Sequence, residues 1–183
     1  HYESDHEAGV ELALKVLPYL EISKQDLLES IIDLPRKDYS KTVFDNYDTE
    51  KPVLKPVVKK MIEDQIREFN KVAPVIKYRL IGSILTKRYR KDADLDINVL
   101  FDVADEDKEA MSEKLREIVR EVNGKNVPGS VHPVNYFVIV DRSVYDKANK
   151  MADDVFDIVH DRFEKRTQSK PFDIEDYMKE FRA

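Results

Sequence analysis

The chain contains no cysteine, and it has no apolar run long enough to suggest a membrane span. Without cysteine, disulfides and thiolate metal sites are excluded. No segment resembles a secretory leader or an apolar stretch of about 18 residues. From these absences we expect a protein that works in the cytoplasm.

Composition limits both the domain count and the partners. With 183 residues, the chain is long enough for one domain with a sizeable core, or for a small domain with helical additions. It carries a net charge of −6 and 37% charged residues. An acidic protein is not attracted to nucleic acid as a whole, so any such contact has to be local.

Hydrophobic periodicity predicts an α+β fold with a small sheet, helices packed on it, and added helices at both ends. The predicted strands are Val75–Ile81, Asp94–Phe101 and Val134–Val140. Helices are predicted over Ala8–Leu20, from Ser23 to Ile32, over Leu54–Val72, after Asp105, over Ser143–Arg166 and from Asp173. This gives an N-terminal extension and connection (1–52), a core (53–141) and C-terminal helices (142–183), which we expect to form one unit.

The most informative segment reads LIGSILTKRYRKDADLDINVLFD, residues 80 to 102. Gly82 lacks a Cβ and can bring backbone N–H groups close to an anion, and Ser83 adds a hydroxyl at a predicted helix start. Side chains two apart in a strand share a face, so Asp94, Asp96 and Asn98 should project together. Paired carboxylates suit a hard cation such as Mg²⁺. The segment therefore predicts a phosphate site beside a metal site.

A basic stretch separates these two predicted sites. From Pro74 through Lys91 the chain has no acidic residue and six basic ones: Lys77, Arg79, Lys87, Arg88, Arg90 and Lys91. These side chains would neutralise a triphosphate or hold a nucleic-acid backbone, although a solvated loop explains them equally well. Tyr89 is a candidate for stacking on a base or for packing under the loop.

The Gly-Ser turn, the spacer and the D-x-D strand resemble the nucleotidyltransferase superfamily typified by DNA polymerase β, and its phage-encoded predicted members in particular. The resemblance covers roughly residues 54 to 140, through LKPVVKKMIEDQIREFNKV, IGSILTKRYRKDADLDINV and HPVNYFVIV. It implies a nucleotidyltransferase core built on a small mixed sheet, Mg²⁺ or Mn²⁺ as cofactor, and transfer of a nucleoside monophosphate from a nucleoside triphosphate. The acceptor stays open between RNA, a protein and a small molecule.

The resemblance also assigns roles to residues. Asp94 and Asp96 would bind the metal and act in catalysis with Asn135, and the triphosphate would contact Gly82, Ser83, Lys87, Arg88 and Arg90. Members of the superfamily usually carry a third carboxylate where this chain has Asn135. Asp102 and Asp141 lie about 20 Å along their strands from that position, at roughly 3.3 Å per residue. His132 is nearer, but it should end a loop, and imidazole is a poor magnesium ligand.

Two alternatives to a transferase with an unassigned acceptor remain, one without chemistry and one with a protein as acceptor. Asn135 is consistent with a degenerate member of the fold that binds a nucleotide or a partner without chemistry. An antitoxin-like enzyme that nucleotidylates a partner protein would use the terminal helices for docking. A further pattern, Asp157, His160 and Asp161 on the predicted long helix, imitates a metal trio, but a solvated helix face accounts for it equally well.

Overall fold

A mixed five-stranded sheet organises the described part of the chain, which comprises Lys15 and residues 36–167 of the computed structural model. Within residues 36–167 the strands are β1 Phe44–Asp45, β2 Val53–Leu54, β3 Val75–Ile81, β4 Leu95–Phe101, β5 Val134–Ile139, β6 Val155–Asp157 and β7 Arg162–Lys165. The helices of the same range are α1 Pro56–Val72, α2 Lys108–Val122 and α3 Arg142–Met151, with 3₁₀ turns at Ser83–Leu85 and Asp105–Asp107. Residues 36–167 form one compact unit.

The sheet order is β5-β4-β3-β6-β7, and β1 and β2 form a separate antiparallel ribbon. Only β4 and β5 run parallel; β3 pairs antiparallel with both β4 and β6. The register places Ile81 opposite Asp96, and Asp96 opposite Asn135. The end of β3 therefore meets the starts of β4 and β5 at one edge of the sheet.

The two faces of the sheet differ in what covers them. One face carries the main hydrophobic core, in which Leu80, Ile97 and Tyr136 lie in a row under residues of α1 and α2. Phe69 of α1 packs edge-to-face on Tyr136, with ring centroids 5.1 Å apart. The opposite face carries Asp96 and Asn135, and α3 contacts β4 and β5. The core holds the sheet rigid while the other face remains partly accessible.

Most predicted elements within residues 36–167 are confirmed. The α+β class and the mixed sheet are as expected, and the strands predicted at Val75, Asp94 and Val134 begin within one residue of the observed ones. The helix after Asp105 begins as a 3₁₀ turn and continues as α2. The predicted helices before residue 36 and after Asp173 lie outside the described residues, and the proposed domain boundaries remain predictions.

The prediction of one long helix from Ser143 to Arg166 is wrong. The helix α3 ends at Met151, where Ala152 is extended, and the chain then forms the hairpin of β6 and β7. Val155 and Phe156 pair with Ile81 and Leu80, so this segment completes the sheet. Its run of buried apolar residues fits a strand and a helix equally well by spacing, and the pairing that decides between them joins residues far apart in sequence.

Residues 36–54, which include the end of the predicted connection, pack against the core. Tyr39, Val43 and Phe44 are buried, and the ring of Phe44 meets that of Phe156 edge-to-face at 6.0 Å. In the part of the chain that the structure describes, no helix has the length and apolarity needed to span a membrane.

Candidate functional site

Two carboxylates meet at the sheet edge where β3 ends and β4 begins. Asp94 lies one residue before β4 and Asp96 lies within it, and both side chains are partly buried. Burial, and then the neighbouring charge of Asp94, raise the pKa of Asp96 above its ordinary value. The prediction that these two residues project together is consistent with this arrangement. A pair of like charges in a partly buried site favours a cation as its counter-charge.

Asn135 lies directly across from Asp96 on the parallel strand β5. Its amide Nδ2 donates to Asp94 Oδ2 at 2.7 Å, and a side-chain hydrogen bond from Asn135 also lowers the pKa of Asp96 against the effect of burial. The amide therefore touches both carboxylates and offsets part of their repulsion. The sequence placed Asn135 beside the carboxylate pair, and it lies there.

Gly82 lies so close to the Asp96 side chain that a Cβ there would require the carboxylate to shift. Its φ of +95° is a conformation that residues with a Cβ rarely adopt. A Cβ at this position would lie 3.1 Å from Asp96 Oδ2. The glycine thus fulfils two requirements at once, a turn out of β3 and a close approach of backbone to carboxylate.

Ser83 begins the 3₁₀ turn that follows Gly82, and its side chain is exposed. The turn is anchored by buried Ile84 and Leu85, and Thr86 donates both its N–H and its hydroxyl to the Ser83 carbonyl. The first N–H groups of such a turn have no partner within it. An anion above Ser83 would meet these N–H groups and the serine hydroxyl together.

The predicted basic phosphate ligands lie in the loop that connects this turn to Asp94. The Nζ of Lys87 is 3.4 Å from Glu50 and 5.4 Å from the ring centroid of Tyr39, and Arg90 is 3.7 Å from Asp92. Arg88 is exposed, and its backbone N–H bonds to the Thr86 hydroxyl. The ion pairs of Lys87 and Arg90 are long, so a triphosphate could compete for these cations.

Tyr89 packs within the loop region and not out into solvent. The Arg36 guanidinium lies 4.4 Å from its ring centroid, and the His132 ring meets it edge-on at 5.7 Å. Arg79, which the sequence grouped with the basic stretch, is instead bound to Glu164 at 2.8 Å and faces Asp157 at 3.8 Å. Of the six basic residues, Arg79 therefore forms its ion pairs within the sheet.

His132 is buried, at 3% exposed, and contacts the segment that leads into β4. Because a carbonyl only accepts, Nδ1–H of His132 donates to the Ala93 carbonyl at 2.8 Å, and Nε2 accepts from the Ser40 hydroxyl at 3.1 Å. Burial lowers the pKa of His132, which favours this neutral form. The ring therefore links Ser40 to Ala93, the residue just before Asp94. It positions the carboxylate of Asp94 and is not itself a metal ligand.

The other acidic residues considered as ligands lie elsewhere. Asp102 follows the far end of β4, and Asp141 follows the far end of β5, where it binds Lys108 at 2.6 Å. The trio of Asp157, His160 and Asp161 does not share a helix face, because no helix forms there: Asp157 binds His160, and Asp161 binds Lys59 and the Leu54 N–H. Across Lys15 and residues 36–167, no group of three histidine or acidic side chains is placed to hold a metal.

The residues present fit one hard divalent cation. Asp94 and Asp96 supply two charges, and Gly82 leaves the space beside Asp96 that a Cβ would fill. Magnesium typically binds one or two carboxylates and takes its remaining ligands from water and substrate phosphates. A site with two carboxylates beside a Gly-Ser turn whose serine is exposed meets that description.

A family model described as a nucleotidyltransferase domain matches residues 59–179, well over half of the chain. The chain belongs to this family. No curated protein and no solved structure shows a significant match. The match covers most of α1, the Gly-Ser turn and the D-x-D strand, and it therefore assigns the domain to nucleotidyl transfer in general.

The sequence analysis missed the positioning role of His132 and the exposure of Phe137 on the carboxylate face of the sheet. The positioning role of His132 depends on Ser40, 92 residues away, so no local pattern could reveal it. Phe137 is 47% exposed and lies on the same sheet face as Asn135, two residues along β5. The alternation of VNYFVI contains that signal, since Asn135 and Phe137 share a face opposite buried Tyr136.

The replacement Gly82→Ala tests the close approach to Asp96. Backbone strain alone should cost about 1–3 kcal/mol of unfolding free energy, measured by urea denaturation. Gly124→Ala is the matched control, because Gly124 has φ +82° but no atom lies within 4 Å of the place its Cβ would take. We expect Gly82→Ala to be the more destabilising of the two and to weaken magnesium binding, whereas equal effects on both would contradict a role for the contact.

The replacement Asp96→Asn tests how much the repulsion between Asp94 and Asp96 destabilises the folded protein. A raised carboxylate pKa means that charged Asp96 opposes folding at pH values above its folded pKa, and that this cost disappears as the group protonates. In chelator at pH 7, the variant should therefore have a higher Tm than the wild type, and the gap should narrow as pH falls through the pKa of Asp96. Added magnesium should stabilise only the wild type.

Asp92→Asn serves as the control for this measurement, because its side chain is 78% exposed at the same loop end. Its Tm should equal that of the wild type in chelator. A wild type that is more stable than Asp96→Asn in chelator at pH 7 would show that Asp96 is not under electrostatic strain.

Proposed function

We propose that the chain is a magnesium-dependent nucleotidyltransferase that moves a nucleoside monophosphate from a nucleoside triphosphate to an acceptor. The observation that carries the proposal is the meeting of Asp94, Asp96 and the Gly82-Ser83 turn at one sheet edge in a domain of this family. Manganese is the alternative ion. From the sequence alone, we also propose that the chain is related to phage-encoded members of the family and that it acts in the cytoplasm.

Each residue has a distinct part in this proposal. Gly82 and Ser83 hold the triphosphate through backbone N–H groups and a hydroxyl, and Lys87, Arg88 and Arg90 neutralise its charge. Asp94 and Asp96 would hold the cation, which when bound offsets charge on the reacting phosphate. Phosphoryl-type transfer asks a protein mainly for positioning and charge stabilisation, so no side-chain nucleophile is needed.

Asn135 takes the position of a third ligand in this proposal. Its amide now donates to Asp94, and rotation about its terminal torsion would present Oδ1 to a cation in place of Nδ2. An amide oxygen adds a ligand without adding charge. The site would then hold one cation firmly and a second only with the help of substrate phosphates.

The second candidate is a catalytically degenerate domain that binds a nucleotide or partner. It is favoured by the same hydrogen bond, because an amide that offsets part of the repulsion between Asp94 and Asp96 helps the pair to persist without a cation. The third candidate, an antitoxin-like transferase acting on a protein, shares the chemistry of the first and differs only in the acceptor.

The replacement Asp94→Ala tests the metal role. It should abolish magnesium-dependent triphosphate binding in calorimetry and lower the rate of pyrophosphate release about 10²- to 10⁴-fold, the range expected when a metal ligand is lost. Asp102→Ala is the control, because Asp102 is exposed at the far end of β4. Triphosphate binding that does not respond to magnesium in the wild type would contradict the proposal.

The replacement Asn135→Asp separates an enzyme from a degenerate domain. A third carboxylate should lower Tm in chelator, because it adds a like charge beside two others, and it should hold or raise turnover with magnesium. Asn126→Asp adds the same charge at an exposed position and should change neither. Absence of pyrophosphate release from both wild type and Asn135→Asp, together with absence of magnesium binding, would favour the binding domain.

A further inference from the structure

Phe137 is a large apolar side chain left open on the face of the sheet that carries the carboxylates. It lies opposite Asn98, one row further along the sheet than the pair of Asp96 and Asn135. Asn98 is 5% exposed, while Phe137 is 47% exposed at the outer strand of the sheet. With strands about 4.8 Å apart and about 3.3 Å per residue, its Cα is roughly 8 Å from that of Asp96.

The sheet order indicates which substrate would contact the Phe137 ring. In phosphoryl-type transfer the attacking and leaving oxygens lie roughly in line on opposite sides of the phosphorus. The leaving pyrophosphate would be held at Gly82 and Ser83, at the end of β3, and the carboxylates on β4 lie between β3 and β5. The acceptor must then approach from the β5 side, and Phe137 lies on β5.

The surroundings of Phe137 fit a planar, polar ring better than an apolar protein surface. Asn135 lies two residues before Phe137 on this face, is partly exposed, and can hydrogen-bond the edge of a ring, whereas Asn98 is buried. Protein docking surfaces instead bring several apolar side chains together around an anchor. An exposed aromatic ring beside a partly exposed amide is an arrangement in which a nucleobase can stack and be held at its edge.

We infer that Phe137 is a stacking platform for a nucleobase of the acceptor, so that the acceptor is a single-stranded nucleic acid. The inference rests on the proposed transferase function for the direction of approach. Stacking on one aromatic ring contributes about 5- to 150-fold in affinity. Loss of the ring should therefore weaken acceptor binding by that factor and leave the triphosphate unaffected.

The chain has no tryptophan, so Phe137→Trp introduces a sole tryptophan as a fluorescent reporter at the platform. The probes are a mixed-sequence RNA hexamer, an abasic strand of the same length and charge, and a serine- and tyrosine-containing peptide. Ile76→Trp is the matched control, because Ile76 is 40% exposed near the start of β3, at the end remote from Gly82. Phe137→Ala and Ile76→Ala provide the corresponding affinities.

We expect the RNA hexamer to quench the tryptophan fluorescence of Phe137→Trp but not that of Ile76→Trp. The hexamer should also bind Phe137→Ala about 5- to 150-fold more weakly than it binds Ile76→Ala. The abasic strand should bind both alanine variants equally. Equal hexamer affinities for the two alanine variants, no hexamer binding at all, quenching by the peptide in place of the hexamer, or quenching by a nucleoside triphosphate alone would each overturn the inference.

Calorimetry of magnesium-dependent triphosphate binding separates this inference from the proposed function. Phe137→Ala should bind the triphosphate with wild-type affinity. A wild type that binds no triphosphate would contradict the transferase, whereas base-dependent quenching of Phe137→Trp by the hexamer would still support a nucleobase platform.

Discussion

The repulsion between the carboxylates of Asp94 and Asp96 is the constraint on which the site depends. Two acidic groups held together in a partly buried place oppose folding unless something offsets their charge. In this chain part of the offset comes from the Asn135 amide, which bonds to Asp94 and lowers the pKa of Asp96. A bound cation would offset more of the carboxylate charge. The repulsion that destabilises the metal-free protein therefore favours metal binding.

The rest of the fold keeps these carboxylates from moving apart. The hydrophobic core under Leu80, Ile97 and Tyr136 fixes the register of three strands, and with it the alignment of Ile81, Asp96 and Asn135. On the other side, His132 joins the Ala93 carbonyl to the segment around Ser40. Removal of either support would let the charged pair relax into solvent and lose its geometry.

Local patterns in the sequence were sufficient for the parts of the site that lie close together along the chain. The Gly-Ser turn and the D-x-D strand are short motifs, and the alternation of β4 indicates which side chains share a face. Long-range pairing was not visible in the same way. The segment from Val155 to Asp157 has helical and strand interpretations of equal merit, and only its ladder with β3 decides between them. The contact of His132 with Ser40 is likewise set by the folded chain.

The central claim is that Asp94 and Asp96 hold a divalent cation next to a triphosphate at Gly82 and Ser83. A crystal structure with manganese and a non-hydrolysable nucleoside triphosphate tests it most directly, because manganese can be located by its anomalous scattering. The account predicts a manganese ion bound by both carboxylates, with the triphosphate on the Gly82-Ser83 turn. A triphosphate bound elsewhere, or no manganese at the two carboxylates, would contradict it.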